Sequence, residues 1–192
     1  MEKNIEMTPQ QSLKLITETM NNSRKAILQG SANHFLLWGI LLTALSLVSY
    51  FLWHGTGNPA WNFLWFAMPV IGYPLALFLR KREASIPKSE IGKLSGSVWT
   101  AFGAFAICLS IIAVSLVPMN ITLLIVVLLG FAECISGAIL KNWPIIVGGF
   151  ILGVGGAAAA MLLRSTEAQL LLFTLGGVLL AAIGVIVKMQ YR

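Results

Sequence analysis

One acid stands where lipid should exclude it. Glu133 interrupts the apolar run ITLLIVVLLGFAECISGAIL (121–140), and an ionised acid at such a depth is expensive on any insertion scale. It precedes Lys141 by eight residues, so at 1.5 Å per residue it sits about 12 Å inside that end of a helix. An acid placed there faces a bundle interior and is protonated, paired or hydrated. Two readings follow. Glu133 is either a neutral glutamic acid bonded to a neighbouring helix or a proton- or cation-coupled site.

The second irregular stretch is FAMPVIGYPLALF (66–78). Pro69 and Pro74 donate no N–H and free the carbonyls of Trp65 and Val70, four residues earlier. Tyr73 adds a hydroxyl. Broken helices line many transport sites, yet proline and glycine are also common in membrane helices as packing kinks. If the stretch is functional, Glu133, Tyr73, Pro69 and Pro74 define a polar site between the second and fourth spans.

Other chemistry is scarce. The chain has no Asp, and its two His residues, His34 and His54, lie at opposite ends of one apolar run, about 30 Å apart along a helix. They cannot share a metal or a proton relay. Cys108 and Cys134 fall inside apolar runs at depths that differ by about 7 Å, where cysteine acts as a small hydrophobe. Gly153-Val154-Gly155-Gly156 imitates part of a dinucleotide fingerprint but lies in an apolar run with no preceding strand. No nucleophilic serine has a base within reach. The expectation is a protein without catalytic, metal or cofactor sites.

The elements that would position these residues follow from composition. Of 192 residues 57% are hydrophobic and only 10% charged, with a mean hydropathy of +0.84; a soluble domain carries about a quarter charged residues. The apolar residues form runs long enough for a helix to cross roughly 30 Å of hydrocarbon. Predicted spans are 35–53, 61–79, 98–117, 121–140, 143–163 and 168–187. A β-barrel would need alternating segments of about 10 residues, and Ile121–Gly130 is apolar all round. The fold class is therefore an all-α polytopic bundle of six transmembrane helices over residues 35–188.

Of 13 Lys and Arg residues, only Arg164 falls on the outer side if the N-terminus is inside. Cationic segments stay cytoplasmic, so both termini are expected in the cytoplasm, and short loops fit a bacterial cytoplasmic (inner) membrane. The net charge of +6 flanks the spans, where it serves topology and attraction to anionic lipid. No nucleic-acid footprint is formed. Residues 1–34 precede the first run with no cleavage site, so span 1 is expected to be retained.

Within residues 1–34, Thr8-Pro9 reads as a helix start, and Leu13, Ile16, Met20 and Ile27 recur at helical spacing opposite polar residues. An amphipathic helix lying in the cytoplasmic interface is expected. It serves as a lead-in to span 1 or docks a partner through residues 8–29. The loop 80–97, RKREASIPKSEIGKLSGS, is either a lipid-facing connector or a second docking surface, with its final serines as caps for span 3.

Trp38 to Arg80, Trp99 to Lys141 and Trp143 to Lys188 are separated by about 42, 42 and 45 residues. Each pair opens with Trp and closes with a cation, as topology anchors would. Gly137 and Gly184 lie four residues before their closing Lys, and Gly130 and Gly177 eleven before it; Ala76 and Pro69 take those places before Arg80. Three tandem helical hairpins would give this register. Gly149, Gly153 and Ala157, and Gly177 with Ala181, form small-residue stripes that bring helices close in lipid; close packing of the third hairpin is expected.

The succession SLKLITETM, HFLLWG, VWTAFG and GFAECISGAILKNWPIIVGG resembles a group of uncharacterised small six-span bacterial membrane proteins, over nearly the whole chain. In that group a winged-helix regulator is often encoded alongside, so the resemblance implies a signalling or regulatory setting. The expected function is a non-enzymatic interaction, sensing or regulatory membrane protein. The alternative is a small transporter or channel with its site near Glu133.

Overall fold

The computed structural model describes residues 8–82, 90–116 and 119–190, which contain helices and short turns and no strand. Six helical segments are long and apolar enough to cross a membrane. Helix α1 (Pro9–Thr56) begins as expected from Thr8-Pro9. The Thr8 hydroxyl accepts from the Gln11 N–H at 3.3 Å, and the Gln11 side chain accepts from the Thr8 N–H at 3.0 Å, a reciprocal capping box with proline at the first helical position. It ends at Gly57, φ 65°, whose N–H reaches the Trp53 carbonyl at 2.7 Å. Between these caps no proline interrupts it.

Its 48 residues span about 72 Å, more than twice the hydrocarbon thickness. The expected boundary at residue 34, between an interfacial helix and span 1, is therefore not a break: both are one helix. Residues 1–7 lie outside the described residues.

The second span starts as a 3-10 helix, Pro59–Phe66, capped by Asn58, and continues as α2 (Ala67–Arg82) with Pro74 inside. Such a long 3-10 run is unusual; it lies directly ahead of Pro69, which has no N–H with which to continue an α-helical ladder. Helix α3 (Glu90–Ser115) begins within the predicted 80–97 loop. Glu90 suits a helix N-terminus and pairs with Lys93 at 2.6 Å. Ser97, expected as a cap, is inside the helix and donates to the Lys93 carbonyl at 3.0 Å. Of that loop, residues 83–89 lie outside the described residues.

Helix α4 (Ile121–Leu140) is capped by Asn120, and α5 (Trp143–Phe150) by Asn142. The turn between them is two residues long, with Lys141 at φ 51° and the Asn142 N–H bonded to the Gly137 carbonyl at 2.9 Å. One π-helical stretch, Ile151–Gly155, separates α5 from α6 (Gly156–Leu162), and together they make the fifth span. Helix α7 (Thr166–Gln190) is the sixth.

Packing divides the helices into an inner and an outer set. Helix α7 lies along α1 over the most extensive contact, and α4 lies along α5, the π-turn and α6. Helix α2 rests on α1 and α3 on α4; none of the most apolar stretch of α3 is buried. The core falls into two clusters. Leu28, Ala32, Phe35, Leu140, Ile145, Leu180, Ile183 and Val187 fill the end nearer Lys141. Leu42, Val126, Leu129, Leu152 and Phe173 fill the other.

Glycine sets the helix separations. A side chain on Gly130 would meet the backbones of Gly149 and Gly153, and one on Gly137 would come within 2.7 Å of the Ile146 nitrogen. On α7, a Cβ at Gly177 would lie 2.8 Å from the Gly39 carbonyl and one at Gly184 2.9 Å from that of Ala32. A Cβ on Gly39 would in turn lie 2.5 Å from the Ala181 nitrogen. The small residues expected to close the third hairpin therefore mostly join it to other helices: Gly149 and Gly153 face α4, and Gly177 and Ala181 face α1. Ala157 is half-buried on α6.

These contacts make a paired prediction. Gly177→Ala sets a methyl against backbone that cannot rotate away and should lower unfolding stability by about 1–3 kcal/mol. Gly103→Ala enters open space on α3 and should leave stability unchanged or raise it by up to about 1 kcal/mol. Thermal or denaturant unfolding of both purified variants in detergent checks the difference.

Candidate functional site

Helix α4 supplies Val126 and Leu129 to one core cluster and Leu140 to the other. Glu133 and Ser136 stand on the stretch between them. Glu133 is 0% exposed and Ser136 1%. Being three residues apart on a helix, they are neighbours on one face. Among the described residues, none bonds either carboxyl oxygen of Glu133 or the hydroxyl of Ser136.

Across from Glu133 lies Gly148 of α5, where a Cβ would stand 3.3 Å from Oε1 and would also overlap Ile183 of α7. Glycine at 148 thus makes the space that the carboxyl occupies. Cys134, next in sequence, also meets α5 and donates its thiol to the Ile146 carbonyl at 3.4 Å. That bond, with Cys108 exposed on α3, leaves the two cysteines free.

Tyr73 is elsewhere. It is 61% exposed, and its ring meets Trp38 edge-on at 6.3 Å, within the about 4.5–7 Å of such pairs. Trp38 also covers Gly72. Helix α2 packs on α1 and the 3-10 segment, with no substantial contact to α4. Pro69 and Pro74 are exposed. The expected site between the second and fourth spans is therefore not assembled: α2 directs Tyr73 and both prolines away from Glu133, whose surroundings come from the fifth and sixth spans.

The anchor residues divide in the same way. Trp99 turns inward, 6.1 Å edge-on from Phe35 and 5.8 Å from Phe102, and Trp38 covers α2, whereas Trp143 is 73% exposed. Lys188 donates to Asn33 at 3.1 Å, tying α7 to α1. Lys141 forms the left-handed turn residue, and the side chain of Arg80 lies outside what is described.

At the far end His54 stacks on Tyr50 and lies 3.6 Å from Glu167, and Ser46 shares a hydrogen bond with Thr174 at 2.8 Å. No group of three His, Cys, Asp or Glu side chains that could hold a metal ion occurs among the described residues. An apolar groove of about 400 Å³ lies between α1 and α7, lined by Ile40, Thr43, Ala44, Leu47, Val178 and Ala181. Glu133 does not line it.

Sequence reasoning singled out Glu133 but missed Ser136 and Gly148. Ser136 carried a signal, since it stands three residues after the acid on the same helical face. Gly148 carried none, because its role depends on how α5 meets α4. Comparison with protein-family models, curated proteins and solved structures finds no match to this chain.

A fully buried carboxyl without protein partners contributes nothing to holding helices together, since leaving polar groups unpaired costs about 1–3 kcal/mol each. Glu133→Leu should therefore leave unfolding stability unchanged or raise it, and Glu133→Lys should lower it through an unpaired buried cation. Thermal unfolding of both variants in detergent gives the comparison.

Proposed function

We propose that this chain is a non-enzymatic membrane protein that acts through protein contact, with the first half of α1 as its contact surface. The carrying observation is the length and exposure of that helix. Fully buried side chains of α1 begin at Leu28, and Ile27 already packs against the core, so the exposed turns from Pro9 to Asn22 extend about 20 Å beyond that packing. Along this arm Leu13 is 69%, Ile16 57% and Met20 49% exposed. They share one face, while Lys14 and Glu18 pair along the helix at 4.0 Å. An unbroken helix cannot cross the bilayer and also lie flat in its surface without a kink. The arm is thus presented to the cytoplasm rather than laid on lipid.

The Lys and Arg distribution supports a cytoplasmic side for this arm, both termini and the 80–97 segment in a bacterial inner membrane, with anionic lipid as the neighbour of its basic residues. The resemblance to small six-span bacterial proteins supports a regulatory setting. The register of Gly130, Gly137, Gly177 and Gly184 supports three tandem hairpins. In each of the last two, the second helix uses both glycines to pack on the first helix of another hairpin, α4 on α5 and α7 on α1. Pro69 and Ala76 occupy those places on α2. A transporter with its site between the second and fourth spans finds less support, because Glu133 faces Gly148 of the fifth span while Tyr73 is exposed on α2.

A photoreactive amino acid at Leu13 or Ile16 should give discrete protein adducts in intact membranes, whereas the same group at Glu18 or Asn22, on the opposite face, should not. Leu13→Asp with Ile16→Asp should remove adducts formed from Met20 while leaving the bundle's unfolding transition in place. Equal labelling from both faces, or none from either, would overturn the assignment.

A further inference from the structure

The serines and threonines of this chain show by contrast what is unusual at Ser136. In a helix, a serine or threonine hydroxyl commonly returns its proton to the carbonyl four residues earlier. Thr17, Thr19, Thr43, Thr56, Ser97, Thr100 and Ser110 all do so, at 2.6–3.0 Å. Ser136 on α4 and Ser49 on α1 do not: each hydroxyl is buried without a hydrogen-bond partner among the described residues, and that of Ser136 stands one turn from a carboxyl in the same condition. Three polar oxygens thus share one face of α4 inside an otherwise apolar packing.

Their number and geometry select a ligand. A small hard cation takes about six oxygen ligands, twice the three side-chain oxygens that Glu133 and Ser136 supply. A single water needs only about two to four polar partners, which a carboxyl and a hydroxyl provide. Serine can both accept and donate, so it can pass a proton to the acid through that water. Ser136 is also the nearer of the two to the Lys141 end of α4. We propose that Glu133 and Ser136 form a buried proton-binding site in which one water bridges carboxyl and hydroxyl, entered from the Lys141 end. Uptake forms one O–H bond on the Glu133 carboxylate with a proton that hydronium gives up, leaving water.

No neighbouring charge competes for that proton from the fifth span, since α5, the π-turn and α6 hold no titratable side chain. On α7 the charged groups are Glu167 and Lys188, near its two ends, with Lys188 held by Asn33. Helix α3 brings Glu90 and Lys93, paired at its first turn, and exposed Cys108. Helix α1 brings Arg24, whose Nε is buried one turn before Leu28, and His34, half-buried beside Phe35; Leu28 and Phe35 belong to the cluster that contains Ile183. On α4 itself Cys134 is bonded to Ile146. The site goes beyond the contact role of the arm and does not depend on it.

The test uses the full chain in lipid vesicles and dicyclohexylcarbodiimide, an apolar reagent that adds to the protonated carboxylic acid and rearranges to a stable N-acylurea. Peptide mass mapping should find the adduct on Glu133, and Glu133→Gln should lack it. Above the titration midpoint the labelling rate should fall about tenfold per pH unit, as the population of the acid form does. Ser136→Ala should shift that midpoint, and in infrared difference spectra it should move the acid carbonyl band that Glu133→Gln removes. Sodium should not protect. Absence of the adduct from wild-type Glu133, a rate independent of pH, protection by sodium, or identical midpoint and band position in Ser136→Ala would each overturn the proposal.

Discussion

Helix backbones in this bundle meet where glycine leaves no side chain between them, and the rest of the arrangement depends on those contacts. Lipid tails are as apolar as leucine, so burying leucine between helices gains little in a membrane; close approach and dense packing must supply the attraction. Gly130 and Gly137 bring α4 onto α5, and Gly177 and Gly184 bring α7 onto α1. The four segments joined this way hold the buried residues of both core clusters. Helix α2, with Pro69 and Ala76 at the corresponding spacing from Arg80, stays outside with exposed Val70, Tyr73 and Phe78.

Close packing also determines which polar groups can be carried inside. Most hydroxyls return to their own helix, and Ser46 meets Thr174 across the α1–α7 contact, so these groups cost little. Glu133 is different, because its space exists only through Gly148 on the facing helix. Two independent choices, an acid on α4 and no side chain on α5, coincide at one depth. Filling that space with leucine would satisfy packing equally well. Retaining an acid there instead is a cost to stability that the fold does not require.

The spans were legible because membrane crossing imposes a length and a composition at once. The fourth, expected at 121–140, is Ile121–Leu140, and the fifth ends one residue earlier than expected. The continuity of α1 was less apparent, since the change from amphipathic to apolar at residue 34 looks like a boundary although no residue there breaks a helix. The register of α2 was hidden for another reason: its faces are all apolar, so periodicity could not say that Tyr73 points outward. Small-residue stripes announced close contact at Gly149, Gly153, Gly177 and Ala181. They could not name the facing helix, because a stripe encodes distance and not partner.

Helix α1 belongs to both parts of the molecule. Its first turns form the exposed arm, and its later turns hold Gly39 and Thr43 against Gly177 and Ala181 and Leu36 against Gly184. Side chains elsewhere can change rotamer to absorb a small shift, but backbone in contact with backbone cannot. Because helix α1 is continuous, a rotation or axial displacement imposed at Leu13 or Ile16 is carried along hydrogen-bonded turns to contacts that have little room to adjust. Those contacts must either resist it or shift together with α7, which carries Ile183 on the wall beside Glu133. The arm and the buried acid are therefore separated by one rigid helix and one close-packed interface, with no flexible connection between them.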